Sequence, residues 1–264
     1  MDVLDFLNSI GVYGYSMDSG KSMHDYPSIS FEFAGNNITF ELDGKPHDEY
    51  YYSNMLDRAL IRVDFNVPLN AQFEVLDSTR IVSAKPTIMK VLEDGGSCVL
   101  MSHLGRPKSK EPEFSLQHIV SALETVLGVD VLFSSSCIGD DVKKSCENLK
   151  PGQIILLENL RYHPEEISGD IGFAEELSKL GDFYINDAFG TAHRAHASTT
   201  IIANFFPQNK CFGKLLAQEI ESIERVMETG EKPVLAILGG AKVSSKITII
   251  DNILDKVDHL IIGG

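Results

Sequence analysis

Basic residues are scarce in this chain: 23 lysines and arginines stand against 38 acidic residues, for a formal net charge of −15 over 264 positions. That balance argues against non-specific attraction to nucleic acid or to an anionic membrane surface. An anion-binding site must then concentrate its few cations locally, so clustered arginines carry weight. Long apolar runs are also lacking, and none approaches the ~18–20 residues of a membrane span. The opening residues, Met1-Asp2-Val3-Leu4-Asp5, have neither the basic nor the apolar region of a signal peptide. Cysteine is limited to Cys98, Cys137, Cys146 and Cys211, without a CxxC pair or zinc spacing. Reduced thiols in a cytoplasmic protein are the expectation. Apolar residues are present in ordinary proportion, 43%, and the length suffices for one or two domains with real cores.

From Arg58 onward short apolar runs alternate with longer amphipathic ones. Strands are expected at Ala59–Asp64, Ser97–His103, Asp130–Phe133, Gln153–Glu158, Phe183–Asp187, Pro233–Leu238 and His259–Ile262. Several are near-continuous Val/Ile/Leu runs, the mark of parallel strands buried on both faces. Helices are expected at Thr79–Glu93, Ser115–Leu127 and Ile171–Lys179. This βαβα rhythm predicts a doubly wound, Rossmann-like α/β sheet. Over Lys214–Glu228, Leu216, Ile220, Ile223 and Met227 recur at helical spacing, and Gly230 supplies a stop. We expect a boundary helix there, dividing a domain at 55–213 from an incomplete α/β unit at 231–264.

Residues 1–54 differ from the rest. Ile29, Phe31 and Phe33 alternate with polar residues, as do Ile38, Phe40 and Leu42, with Gly35-Asn36-Asn37 between the runs. That pattern predicts a small β-hairpin extension. It holds nine acidic residues against two lysines, and ends in Tyr50-Tyr51-Tyr52. No catalytic motif is found in it; a small appended β unit and an interaction module both stay open.

Three phrases bring chemistry to strand ends: Val63-Asp64-Phe65-Asn66-Val67-Pro68, Ser102-His103-Leu104-Gly105-Arg106-Pro107 and Gly190-Thr191-Ala192-His193-Arg194-Ala195-His196. Loops at the carboxyl ends of parallel strands are where an open sheet binds ligands. Asn66 suits donation to a substrate oxygen and Asp64 acceptance from a hydroxyl, although a plain Asp/Asn turn before proline fits as well. Arg80 opens a helix, where a surface arginine is ordinary. His103 and Arg106 read as a pair of cations directly after a buried strand. Arg161 and Arg194 repeat that placement. Several guanidinium forks on one sheet edge fit phosphate and carboxylate oxygens. Farther on, Leu238-Gly239-Gly240-Ala241-Lys242-Val243-Ser244-Ser245-Lys246 reads as a strand, a glycine turn and a helix start. It lacks the Walker A spacing, and phosphate binding and an ordinary turn are equally open.

Together these residues resemble the phosphoglycerate kinase family from about Leu56 to Gly264. The resemblance implies 3-phosphoglycerate binding by Asp64, Asn66, Arg80, His103, Arg106, Arg161 and Arg194, with Arg80 stabilising the group in transfer. It implies nucleotide binding by Gly240, Ala241, Lys242 and Lys246, with Lys242 catalytic. ADP or ATP with Mg2+ would be the cosubstrate, and phosphoryl transfer from 1,3-bisphosphoglycerate to ADP, in glycolysis, the reaction. Members of the family continue through a second α/β domain and begin close to their first strand. A truncated, rearranged or fused form, with little activity alone and weak nucleotide binding, is the expectation. The 231–264 unit is expected to be poorly protected or to self-associate. A non-catalytic 3-phosphoglycerate-binding module, or a scaffold for residues 1–54, is the alternative.

Overall fold

The computed structural model describes the backbone of residues 28–33 and 36–41, and residues 58–192, 194–229, 232–239 and 253–263. The expected hairpin is present: β1 (Ser28–Phe33) pairs antiparallel with β2 (Asn36–Glu41), setting Ile29 opposite Phe40 and Phe31 opposite Ile38.

The main sheet has six parallel strands: β3 (Arg58–Val63), β4 (Ser97–Met101), β5 (Val131–Phe133), β6 (Ile154–Leu156), β7 (Phe183–Asp187) and β8 (Lys210–Phe212). Their order is β5-β6-β4-β3-β7-β8. From β3 the chain winds to one side, then crosses back to β7 on the other, as a doubly wound α/β fold requires. The loops after β3, β4, β6 and β7 consequently share the carboxyl edge of the sheet.

Alternation along the strands fills two cores. On one face Leu60, Val99, Met101, Ile155, Leu157 and Tyr184 pack with Val142, Phe173, Leu177 and Ile202. On the other, Ile61, Val63, Leu100, Ile154, Leu156 and Ile185 pack with Ile81, Ile88, Leu116 and Leu123. Burying each such side chain stabilises the fold by about 1.5–3 kcal/mol. The apolar runs are continuous because helices cover both faces.

Helix α1 (Thr79–Glu93) spans the predicted range. The helix expected at Ser115–Leu127 is divided: a 3₁₀ turn, Leu116–Ile119, precedes α2 (Val120–Leu127). Glu158 explains the tight entry, since its carboxylate accepts from the Leu116 N–H at 2.9 Å and the Ser115 hydroxyl at 2.8 Å. Helix α3 (Asp140–Glu147) has no counterpart in the expected elements, because only Val142 and Cys146 are buried in it. Next come α4 (Pro164–Ser168), α5 (Ile171–Ser178), α6 (Phe189–Ala192) and the long α7 (Lys214–Thr229). β8 also went unpredicted, being three residues long. Finally β9 (Leu235–Leu238) and β10 (His259–Ile262) pair in parallel as a separate two-stranded sheet. Among the described residues, no helix is long and apolar enough to cross a membrane.

Candidate functional site

The site is built on the loops that follow β3, β4 and β6, together with the segment after α6 and the start of α1. Asp64 and Asn66 leave β3 in a turn closed by the Asn66 N–H donating to Asp64 Oδ1 at 3.2 Å. Arg80 lies in the first turn of α1, whose start is held by the Asp77 carboxylate accepting from the Thr79 N–H at 2.8 Å. The Arg80 guanidinium donates to Asp64 Oδ2, so this half-exposed arginine is directed to the site and is not a free surface cation.

The loop after β4 is shaped by Gly105, with a φ of +62° that side-chain-bearing residues rarely adopt. A Cβ there would also overlap the Phe114 ring. Its N–H donates to Asn66 Oδ1 at 2.8 Å, and its carbonyl accepts from Arg161 Nη1 at 2.6 Å. Gly105 thereby joins three of the predicted residues' loops. Asn66 Nδ2 is left without a partner among the described residues, available as the donor the sequence suggests.

Arg106 is exposed, and its side chain has no hydrogen bond or ion pair among the described residues. Arg161 is half-buried. Burial lowers its pKa, and the nearby cations Arg194, Arg62 and Arg106 lower it further, against Glu166. Arg194 sits just beyond α6, its N–H donating to the Thr191 carbonyl at 3.0 Å and its carbonyl accepting from the Thr199 hydroxyl at 2.8 Å. All seven residues expected on the anion side therefore belong to one sheet edge.

His103 needs a correction. The sequence places it beside Arg106 as a second cation. It is instead buried, and desolvation together with Arg62, Arg161, His196 and Arg80 pushes its pKa down to about 2. A ring in that setting stays neutral.

Four residues of the site carry no motif and went unpredicted. Arg62, fully buried in β3, donates through Nε to Ser198 Oγ at 2.9 Å and lies 3.3 Å from His103 Nδ1 through Nη2. The Ser198 hydroxyl donates to buried Glu166 at 2.6 Å. Asn159 joins the loops after β4 and β6. The only signal in the sequence was an arginine interrupting Leu60-Ile61-Arg62-Val63, where a strand interior excludes unpaired charge.

The residues expected on the nucleotide side, Gly240, Ala241, Lys242 and Lys246, lie outside the described residues, as does His193. Among the described residues no three His, Cys, Asp or Glu side chains are grouped to hold a metal ion.

Comparison with known proteins places this arrangement. A family profile described as phosphoglycerate kinase matches residues 54–264. The phosphoglycerate kinase of Porphyromonas gingivalis is 47% identical over 231 residues, covering 78% of this chain and 55% of the relative. That of Moorella thermoacetica is 52% identical over 208 residues, covering 78% and 52%. The solved structure of phosphoglycerate kinase from Coxiella burnetii superposes with a TM-score of 0.67 at 39% identity, covering 78% of this chain and 51% of its own. The one from Pyrococcus horikoshii gives 0.71 at 27% identity, covering 82% and 55%. The chain spans about half the length of the curated relatives it matches. With its profile, its relatives and its sheet in agreement, the chain belongs to the phosphoglycerate kinase family.

Proposed function

We propose that the six-stranded unit is the 3-phosphoglycerate half of a phosphoglycerate kinase, a phosphotransferase with a carboxyl acceptor. One observation carries this reading. Arg62, Arg80, Arg106, Arg161 and Arg194 come from separate segments yet act on His103 or on one another at a single sheet edge, in a chain short of cations. Phosphoryl transfer demands mainly positioning and charge neutralisation, which such a cluster supplies without a covalent nucleophile.

In this reading Arg106, Arg161 and Arg194 grip the phosphate, while Asp64 and Asn66 meet the substrate hydroxyl. Arg80 is shared: a bound acyl phosphate competes with Asp64 for its guanidinium and draws it toward the group in transfer. In the ATP-forming direction a terminal ADP oxygen attacks phosphorus. The bond from phosphorus to the substrate's acyl oxygen then breaks, releasing a carboxylate. Lys242 and Lys246, with the Gly240-Ala241 turn, are our choice for the nucleotide phosphates and the group in flight. Mg2+ enters this reading with ADP or ATP, as neutralising charge on their phosphates. We assign residues 55–213 to substrate, 214–230 to the connecting helix and 231–264 to the nucleotide side, with no role for 1–54. Four cysteines without disulfides suit the cytoplasm.

Titration calorimetry of the 264-residue chain with millimolar 3-phosphoglycerate tests the reading. Binding is expected, and its absence overturns it. In a coupled assay the same chain is expected to turn over far below the ~1–100 s⁻¹ usual for kinases.

A further inference from the structure

We propose that Arg62 is a positioning residue that fixes His103 as the neutral Nε2–H tautomer, so that His103 meets an anion as a hydrogen-bond donor without charge. Arg62 Nη2 lies 3.3 Å from His103 Nδ1. A guanidinium has five donors and no acceptor, so the Nδ1 of this pair must accept and carries no proton. The single proton of the neutral ring is then on Nε2. Among the described residues nothing accepts from that Nε2–H, which leaves it for a ligand.

Asp64 would favour the opposite tautomer. Its Oδ1 is 4.0 Å from His103 Nδ1, beyond hydrogen-bond reach, and that oxygen already accepts from the Asn66 N–H. Its Oδ2 is taken by Arg80. Among the described residues, the remaining charged or titratable groups acting on the ring are Arg161, from the loop after β6, and His196, beyond α6. With Arg62 and Arg80 they add to burial in disfavouring an imidazolium.

A buried arginine needs a countercharge, and Glu166 supplies it through one hydroxyl. Ser198 Oγ accepts from Arg62 Nε and donates to Glu166 Oε1, while Glu166 Oε2 accepts from the Ser198 N–H at 3.0 Å. The order is forced, because the guanidinium only donates and the carboxylate only accepts. This relay orients Arg62 and, through it, the ring. The consequence for substrate rests on the anion-site reading given above; the tautomer does not.

The test uses the full chain with 15N-labelled histidine and long-range proton–nitrogen correlation spectra from about pH 5 to 8. His103 is assigned by the signals missing in His103→Gln. We expect an Nε2–H pattern that does not move across that range. An Nδ1–H pattern, or titration within the range, overturns the proposal in the unmodified chain, with no variant needed. In Arg62→Met, His103 is expected to populate the other tautomer and to begin titrating. A spectrum identical to the wild type would show that Arg62 is not the cause, and would equally overturn it. Absent 3-phosphoglycerate binding with the Nε2–H pattern intact would support the tautomer and count against the anion-site reading alone.

Discussion

Asn159 and Leu104 exchange two hydrogen bonds across 55 positions of sequence: Asn159 Nδ2 donates to the Leu104 carbonyl at 2.7 Å, and the Leu104 N–H donates to Asn159 Oδ1 at 3.3 Å. The same amide donates to the Phe114 carbonyl at 2.9 Å and accepts from the Arg161 N–H at 3.0 Å. One fully buried side chain thus ties the loop bearing His103 and Arg106 to the loop bearing Arg161. Asn159→Asp keeps the shape but removes both donations, leaving one buried and one half-buried carbonyl facing an acceptor. We expect a loss of about 2–4 kcal/mol of stability, from the ~1–3 kcal/mol cost of each unmet buried group. Urea unfolding checks it through a lower midpoint at unchanged slope. A midpoint equal to that of the wild type would count against the stitching role.

Arg106 and Arg161 should separate binding from folding. Arg106→Ala removes a side chain with no partner among the described residues, so affinity for 3-phosphoglycerate falls about tenfold to a hundredfold, ~1.5–3 kcal/mol. Its thermal midpoint should stay put. Arg161→Ala loses the same order of affinity and also the 2.6 Å bond to the Gly105 carbonyl, so it should melt lower as well. Calorimetry and thermal unfolding on both variants decide the matter. Unchanged affinity in both would remove them from the site.

Asp187, at the end of β7, gives a pH signature. Its Oδ1 accepts from the Leu216 N–H at 3.1 Å at the head of α7, while Oδ2 is buried without a hydrogen-bond partner among the described residues. Gly213 is required beside it, since a Cβ there would overlap the carboxylate. Burial raises the Asp187 pKa, partly offset by Thr87 and by the Leu216 and Leu215 N–H groups. A carboxyl raised in the folded state stabilises it fully below the unfolded value of ~3.9, and that contribution is lost as pH climbs through the folded value. Asp187→Asn carries no such charge. Its stability relative to wild type should therefore grow from pH 4 to pH 8. A difference that stays constant over that span would show that Asp187 is not the group responsible.

How much of this was legible follows from the range of the interactions involved. Strands could be read because Val99 and Ile155 belong to unbroken apolar runs and Leu60 to one interrupted only by Arg62, a local signal. β8 could not, since it is three residues long and begins with Lys210, whose ammonium is buried and donates to the Ala203 carbonyl at 3.1 Å. Arg106, Arg161 and Arg194 showed themselves by their place after strands, whereas Arg62, inside β3, did not. The neutrality of His103 did not, because it depends on burial and on Arg62 and Arg161 meeting the ring from β3 and from the loop after β6. Glu166 and Ser198 were illegible for the same reason: their roles exist only once α4 and the segment after α6 are packed behind β3.

The last prediction concerns β9 and β10. Both were read as strands made for burial on two faces, yet Leu235 is 51% exposed, Ile237 68% and Ile261 51%. Every residue of β4, by contrast, is buried between β3 and β6. Apolar strands in that state invite pairing with other chains. Hydrogen exchange on a dilute monomer should show the Leu235–Leu238 amides opening well before those of Ser97–Met101, since exchange follows local stability. Raising the concentration should slow β9 selectively if copies of the chain associate through this sheet, and should leave it unchanged if they do not. Protection of β9 equal to that of β4 in the dilute monomer would mean that other residues of the same chain cover these side chains. In that event Ile237→Lys should destabilise the fold by more than the ~0.5 kcal/mol typical of an exposed position.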